Sequence, residues 1–217
     1  MTIDPPSPDR ILLTPREATV LTSRILRQAS WAKGIEAAVG AIVLGTHLAE
    51  GDGLDALERD WASIAAATPA AITAHRDAGA GWRIDGAGAH AFVCMPTVLD
   101  HLLPTATGGD RQVVVTNCTE AQHLTALSAL AAPYGLVLSV RPTPDGAEIV
   151  ARRAAEGELG PPAEPRLYPV SAALLAALRQ RADNYLVPES EASRSHAGDG
   201  TRAFPLEPER VASSGAA

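Results

Sequence analysis

The stretch RQVVVTNCTEAQHLTALSALAAPYGLVLSVRPTPDGAEIVAR, residues 111–152, decides the fold class. Arg111–Asn117 is built on Val113-Val114-Val115 and reads as a strand. Thr119 to about Ala132 reads as a helix. Thr119 and Gln122 stand at capping-box spacing, and Leu124, Leu127 and Leu130 face inward. Gly135 ends it. Leu136–Arg141 alternates Leu136, Leu138 and Val140 inward, as a half-buried strand does. Asp145-Gly146 is a turn signal, and Ala147–Arg152 returns as the partner strand. A β-α-β-β unit of this kind needs further elements to cover its sheet.

Those elements lie upstream. Thr14-Pro15-Arg16-Glu17 opens a helix: Thr14 caps, Pro15 suits the first helical position and Glu17 completes a capping box. Ala18, Leu21, Ile25 and Ala29 share its face. A second helix is expected from Gly34 to about Ala49, with Ile35, Ala38, Val39, Ile42 and Val43 as its stripe. Gly40 and Gly45 weaken it by about 1 kcal/mol each, which close approach to a neighbouring helix offsets. A third carries Leu54, Leu57, Trp61 and Ile64 and stops near Pro69. The stretch Ala78–His90 is a glycine-rich loop around a short Trp82–Ile84 strand. Ala91–Cys94 reads as a strand and Pro96–Leu103 as a short helix. Glu156–Pro169, with four prolines and two glycines, reads as a linker. Ser171 caps a last helix whose inner face holds Leu174, Leu178, Ala182 and Tyr185, bounded by Pro188.

The expected fold is therefore α+β. An N-terminal helical layer precedes a small mixed β-sheet covered by helices, with a C-terminal helix and tail. Residues 1–10 read as a flexible leader and 11–187 as one domain, helical over 11–77 and α/β over 78–187. Residues 188–217 hold a motif segment and tail.

Composition narrows the function. The chain has 217 residues, 46% of them apolar, and a formal net charge of −7. Lys33 is the only lysine and Arg152–Arg153 the only adjacent basic pair, so the concentrated cationic face of a nucleic-acid binder is not expected. The N-terminus MTIDPPSPDR lacks a signal-peptide pattern, and Ile35–Leu48 is too short to span a bilayer. A reducing, cytoplasmic setting is expected for Cys94 and Cys118.

Two places stand out for chemistry. Cys118 ends a strand just before an expected helix start, where the helix terminus favours a thiolate. The competing reading is a buried cysteine that only packs. The second place is YLVPESEASR, residues 185–194. Arg194, Ser190, Ser193 and Tyr185 suit a carboxylate or phosphate ligand, and Glu191 a general base. The plain alternative is a solvated turn with a local ion pair. Gly79–Gly88 does not read as a phosphate loop, since it lacks the Gly-Lys-Ser/Thr ending and no helix start is expected to follow at G-x-G-x-x-G spacing. His47, His75, His90, His101, His123 and His196 show no metal-ligand pairing in the sequence, and neither a metal nor a cofactor is expected.

Two resemblances accompany these readings. Val113–Glu120, VVVTNCTE, resembles one cysteine motif of cofactor-independent aspartate/glutamate racemases. Their second motif has Asn-Thr after the cysteine, whereas Cys94 here sits in FVCMPT. The Tyr185–Arg194 segment resembles the Tyr-x-Val-Pro-x-Ser-Glu-Ala-Ser-Arg ending of an uncharacterised bacterial family of unknown function, whose members are associated with amino-acid and organic-acid catabolism. That resemblance implies no specific activity. Three functions are compatible with these features. The first is a cofactor-independent enzyme acting on a small anionic metabolite, a carboxylate or amino-acid derivative. The second is a non-catalytic subunit or homo-oligomer. The third is a cysteine-based racemase or isomerase.

Overall fold

Strand β1, Arg10–Leu13, begins within the expected leader, and Thr14 then turns the chain into helix α1, Pro15–Leu26. The capping box is formed: the Glu17 N–H donates to Thr14 Oγ1 at 3.2 Å, and the Thr14 N–H to Glu17 Oε2 at 2.8 Å. The computed structural model describes residues 10–32, 34–77, 81–159 and 167–185, all within one unit ending at Tyr185.

Helix α2, Ile35–Glu50, is the hub of the helical layer, packing against its neighbours on several sides. One neighbour is α1, where Gly40 stands against Leu26 and Thr22. Gly45 lets the side chain of Leu130 come in closer than any Cβ allows, so the expected close approach is made. The expected third helix is two: α3, Gly53–Arg59, and α4, Trp61–Ala66. The break is at Asp60, whose backbone (φ −102°, ψ 13°) leaves the helical region.

Strands β2, Thr73–Arg76, and β3, Trp82–Asp85, come next, then helix α5, Ala91–Leu102. Here the expected Ala91–Cys94 strand is corrected. His90 caps a helix, accepting the Phe92 N–H on Nδ1 at 3.1 Å, and Phe92, Met95, Val98 and Leu102 are buried at helical spacing. Pro96 is accommodated inside that helix rather than starting a new one. A short α6, Thr105–Gly108, leads to β4, Arg111–Thr116.

The expected helix after β4 is also revised. It starts at Ala121 rather than Thr119, runs as a 3-10 turn to Ala126, and becomes α only in α7, Leu127–Ala131. Thr119 does not cap it. Instead Thr119 pairs with His90 in an isolated parallel bridge. Strands β5, Leu136–Thr143, and β6, Gly146–Arg153, form the expected hairpin.

The main sheet has the order β2-β3-β4-β6-β5. Only β3 and β4 are parallel, and the other pairs are antiparallel. Ile84, Val113, Val115, Leu136, Ala147 and Ile149 are buried on one face, towards α5 and α7. Arg83, Gln112 and Val150 are exposed on the other. The fold is α+β, as expected.

Strand β7, Tyr168–Ser171, lies in the stretch read as a linker and pairs antiparallel with β1 as a separate ribbon. Pro169 is tolerated there because a two-stranded ribbon leaves N–H positions unpaired. Helix α8, Ala172–Asp183, starts at the expected Ser171 cap, which accepts the Leu174 N–H at 3.1 Å. It buries Leu175, Leu178 and Ala182. Because α8 ends at Asp183, Tyr185 falls outside its register and is exposed rather than packed.

Gly146 fixes how the hairpin meets β4. A Cβ there would lie inside the van der Waals envelope of the Val115 carbonyl. Gly146→Ala is expected to lower stability by about 2 kcal/mol, in the range of an overpacked core. Gly108→Ala, whose Cβ would meet only the Arg111 guanidinium at an ordinary 3.7 Å, is expected to stay within about 0.5 kcal/mol of the parent. Urea unfolding midpoints of the two variants check this.

Candidate functional site

The parallel strands β3 and β4 end side by side, and the loops beyond them continue their pairing. The Gly86 N–H donates to Thr116 O at 2.8 Å and the Gly88 N–H to Asn117 O at 2.7 Å. The Thr119 N–H donates to Ala89 O at 3.0 Å and the Ala91 N–H to Thr119 O at 2.9 Å. Asp85 Oδ1 clamps both loops, accepting the Ala87 N–H at 2.8 Å and the Asn117 side-chain N–H at 3.0 Å. These two bonds, the backbone one first, hold the Asp85 carboxyl below the usual carboxylate range.

The glycine-rich loop does precede a helix start, at Ala91. It is still no phosphate cradle, for a different reason than its sequence suggested. The N–H groups of Gly86, Ala87, Gly88, Ala89, Ala91 and Phe92 are all donated within the protein. Gly86 is needed for close approach: a Cβ there would stand 2.7 Å from Asn117 O and 3.0 Å from Cys94 Sγ.

Cys118 lines a cleft of about 560 Å³, between the 117–122 loop and the β5–β6 turn at Pro142–Asp145. Its N–H is tied to Asp145 O at 2.8 Å, and its thiol donates to Thr119 O at 3.5 Å. Asn117 and Glu120, on either side, both have φ 53°, the left-handed region. Ala87 in the adjoining loop does too. Non-glycine residues held there cost about 1–3 kcal/mol each, and such outliers cluster at functional sites. Because the helix start lies beyond Glu120 and is a 3-10 turn, the expected activation of Cys118 by a helix terminus is not realised.

Cys94 lies on the first turns of α5, fully buried behind Cys118. Contact with the Cys118 thiol, then burial, pushes the Cys94 thiol well above its ordinary value. The two cysteines are stacked one behind the other, and only Cys118 lines the cleft.

The same loops unite two histidines that sequence spacing kept apart. The His90 and His123 rings lie 5.8 Å apart, with Phe92 4.9 Å from His123. His90 Nε2 is 3.5 Å from Asp60 Oδ2, a carboxylate that Arg59 already holds through two hydrogen bonds. Since His90 Nδ1 accepts the Phe92 N–H, the neutral ring carries its proton on Nε2. That tautomer points the His90 N–H at Asp60 and makes the ring a poor metal ligand. Burial pushes the His90 pKa down to about 4, with Asp60 only partly opposing, so the ring is neutral at pH 7. These residues were legible only as strand-end loop positions. Nothing in their spacing linked His90 to His123.

Of the residues singled out in the sequence, Ser190, Glu191, Ser193 and Arg194 lie outside the described residues. Tyr185 lines a separate hollow with Leu26, Arg27, Trp31 and Glu36, and Arg27 lies 6.0 Å from its ring centre. It shares no lining residue with the Cys118 cleft. Another hollow of about 280 Å³, between α1 and α8, gathers Arg16, Arg24 and Arg179 beside Glu17 and Asp183.

Fold and site together define a one-faced α+β domain with a thiol pair and a histidine pair at the ends of its parallel strands. No family model matches the chain, and no curated protein is similar to it. Among solved structures, a malate dehydrogenase from Entamoeba histolytica is similar at 14% identity with a TM-score of 0.49. The match covers 75% of this chain and 49% of that one, so the chain spans about half of that enzyme's length. At that distance the likeness carries no argument about function. No helix among the described residues is long and apolar enough to cross a membrane.

His90 has a thermodynamic signature. The unfolded chain takes up its proton near pH 6.5, the folded protein only near pH 4. Stability is therefore expected to be highest above pH 6.5 and to fall towards pH 4, at most by about 1.4 kcal/mol per pH unit. His90→Asn keeps an N-cap acceptor and should flatten that slope. Urea unfolding of both proteins from pH 4 to 7 measures it, and a parallel slope in the variant would assign the titration to another group.

Proposed function

We propose that the protein is an enzyme acting on a small amino-acid derivative, with the Cys118 thiol as its reacting group and no cofactor in the reaction. The observation that carries this is that Cys118 lines an open cleft, on a backbone forced into left-handed conformations at Asn117 and Glu120. Glu120 and Asp145 also line the cleft, alongside Asn117, Thr119, Gln122 and Thr143. Two carboxylates favour a neutral or cationic group of the substrate, such as an amine, and stand ready to accept the thiol proton. Independently of that cleft, Arg194, Ser190 and Ser193 are proposed as carboxylate-binding groups and Glu191 as a proton carrier. This rests on their chemistry and on the family resemblance of their segment.

The stacked cysteines favour one reacting thiol over two. A two-base racemase needs a cysteine on each face of the carbon acid, and Cys94 is buried behind Cys118 with a pKa raised against thiolate formation. Cys118 as nucleophile or single base is the version the geometry supports, within the hydrolase, lyase or isomerase classes.

A thermal-shift screen of amino acids, imines, hydroxy acids and dicarboxylates supplies ligands through binding linkage. Those ligands are expected to protect Cys118 from iodoacetamide, read by mass spectrometry, and Cys118→Ser should abolish their turnover. Arg194→Ala should raise KM roughly 30-fold, the loss of about 2 kcal/mol for a hydrogen bond to a charged group. Ligands that leave Cys118 alkylation untouched, or full turnover by Cys118→Ser, would refute the assignment.

A second reading, an oligomeric or partner-binding protein, is favoured by the exposed apolar side chains Ile11, Leu12, Val20 and Leu167. It predicts that Leu12→Asp changes the mass seen by light scattering while leaving any turnover intact. An unchanged mass argues for the enzyme alone.

A further inference from the structure

Helix α2 ends at Glu50, and Gly51 (φ 88°) turns the chain sharply to deliver Asp52 beside it. The carbonyl end of a helix carries partial negative charge, so two carboxylates here are mutually and locally repelled. Opposite them stands His123, with a side chain only 3% exposed. Its Nδ1 lies 4.0 Å from Glu50 Oε2 and 3.9 Å from Asp52 Oδ2. Both distances exceed a hydrogen bond. With bonds of about 2.1 Å, tetrahedral ligand atoms stand about 3.4 Å apart, so the two partly exposed carboxylates would close on an ion by about half an ångström.

We propose that Glu50, Asp52 and His123 form a binding site for one divalent transition-metal ion. Their three ligating atoms lie within 4.8 Å of one another. Glu50 is oriented for the task, because its other oxygen, Oε1, accepts the Thr125 hydroxyl at 2.5 Å and leaves Oε2 facing His123. Such an outer-shell hydrogen bond fixes a ligating carboxylate. The histidine ring is wedged by Phe92, and its Nε2 is buried with no hydrogen-bond partner. Asp52 Oδ1 is likewise buried without a partner. Neither of those atoms faces the ion; the ones that do, His123 Nδ1 and Asp52 Oδ2, make no hydrogen bond among the described residues and stand 3.9 Å apart.

Charge points the same way. Arg59 makes its hydrogen bonds to Asp60, and neither Glu50 nor Asp52 has an arginine hydrogen-bonded to it among the described residues. Glu50 and Asp52 side chains are 29% and 45% exposed, which gives an ion a way in and leaves positions for water. One imidazole nitrogen and two carboxylate oxygens suit zinc or manganese better than a soft, thiol-seeking ion. The neighbouring Asp60–His90 pair is excluded from the set by the His90 tautomer and by Arg59.

The site does not depend on Cys118, and the experiment keeps the two apart. Chelator-treated full-length protein is titrated with zinc and with manganese by calorimetry. One equivalent of at least one ion is expected to bind, to raise Tm, and to be weakened at least about tenfold by Asp52→Asn and by Glu50→Gln. Both positions are partly exposed, so the variants should fold, and circular dichroism melting without metal checks that. A Cys94→Ser/Cys118→Ser double variant should bind as the parent does. No stoichiometric binding, parental affinity in both carboxylate variants, or binding lost only in the cysteine variant would each overturn the proposal.

Discussion

The parallel pairing of β3 with β4, in which Ile84 lies against Val115 and Asp85 against Thr116, is the constraint from which the site arises. Two parallel neighbours cannot be joined by a hairpin. They need a crossover, here α5 and α6, and that crossover returns the chain to the same end of the sheet. Both loops after the strands therefore open at one edge. The ladder carried past the strands by Gly86, Gly88, Thr119 and Ala91 then fixes their spacing. His90 and Cys94 arrive on the first loop and helix, Cys118 and His123 on the second. Loop ends of parallel strands are where open α/β sheets collect ligands, and the logic holds even though only this one pair is parallel.

The rest of the fold presses on that edge. The β5–β6 turn is held against Cys118 through Asp145 O and against β4 through the bare Cα of Gly146. From the other side α2 supplies Glu50 and Asp52, and the α3–α4 break supplies Asp60. The start of α3 at Gly53 crosses α2 so closely that a Cβ would meet the Val43 carbonyl. Close contacts made by small residues thus set the position of the carboxylates relative to His123. This explains how a chain with only 4% aromatic residues still builds a defined cleft.

Much of the architecture was legible because local chemistry decided it. The Thr14–Glu17 capping box, the Ser171 cap, the alternation in Leu136–Val140 and the glycines of α2 each act over a few residues, and each is found as expected. What was missed depends on distant partners. RILL at residues 10–13 becomes a strand only because Tyr168–Ser171 lies beside it, far along the chain. Ala91–Cys94, with β-formers Phe92 and Val93, is helical because His90 caps it and the core takes one face. Cys118 was singled out from its strand-end position alone, and its contact with Cys94 was not foreseen. The convergence of Asp60, His90 and His123 has no periodic signature, because crossover connections bring them together. The motif at Ser190–Arg194 was legible as chemistry, and only the chemistry of its side chains bears on it still.

The distribution of unfavourable terms argues that this edge is kept for function rather than stability. His123 Nε2 and Asp52 Oδ1 are buried without hydrogen-bond partners, at about 1–3 kcal/mol each, and His90 Nε2 reaches Asp60 only at 3.5 Å. Ala87, Asn117 and Glu120 add backbone strain in the same two loops. Together these penalties are comparable to the whole net stability of a small domain, about 5–15 kcal/mol. Leucine or phenylalanine in place of the histidines, and glycine at the strained positions, would relieve most of them without altering the sheet. Three of the four non-glycine residues in the left-handed region lie in these two loops, whereas buried polar atoms without a partner also occur at Thr22, Thr46, Thr105 and Arg111. Such penalties are expected where polar atoms stay free to meet something the protein does not itself supply, and here the strained residues flank a thiol that lines a cleft.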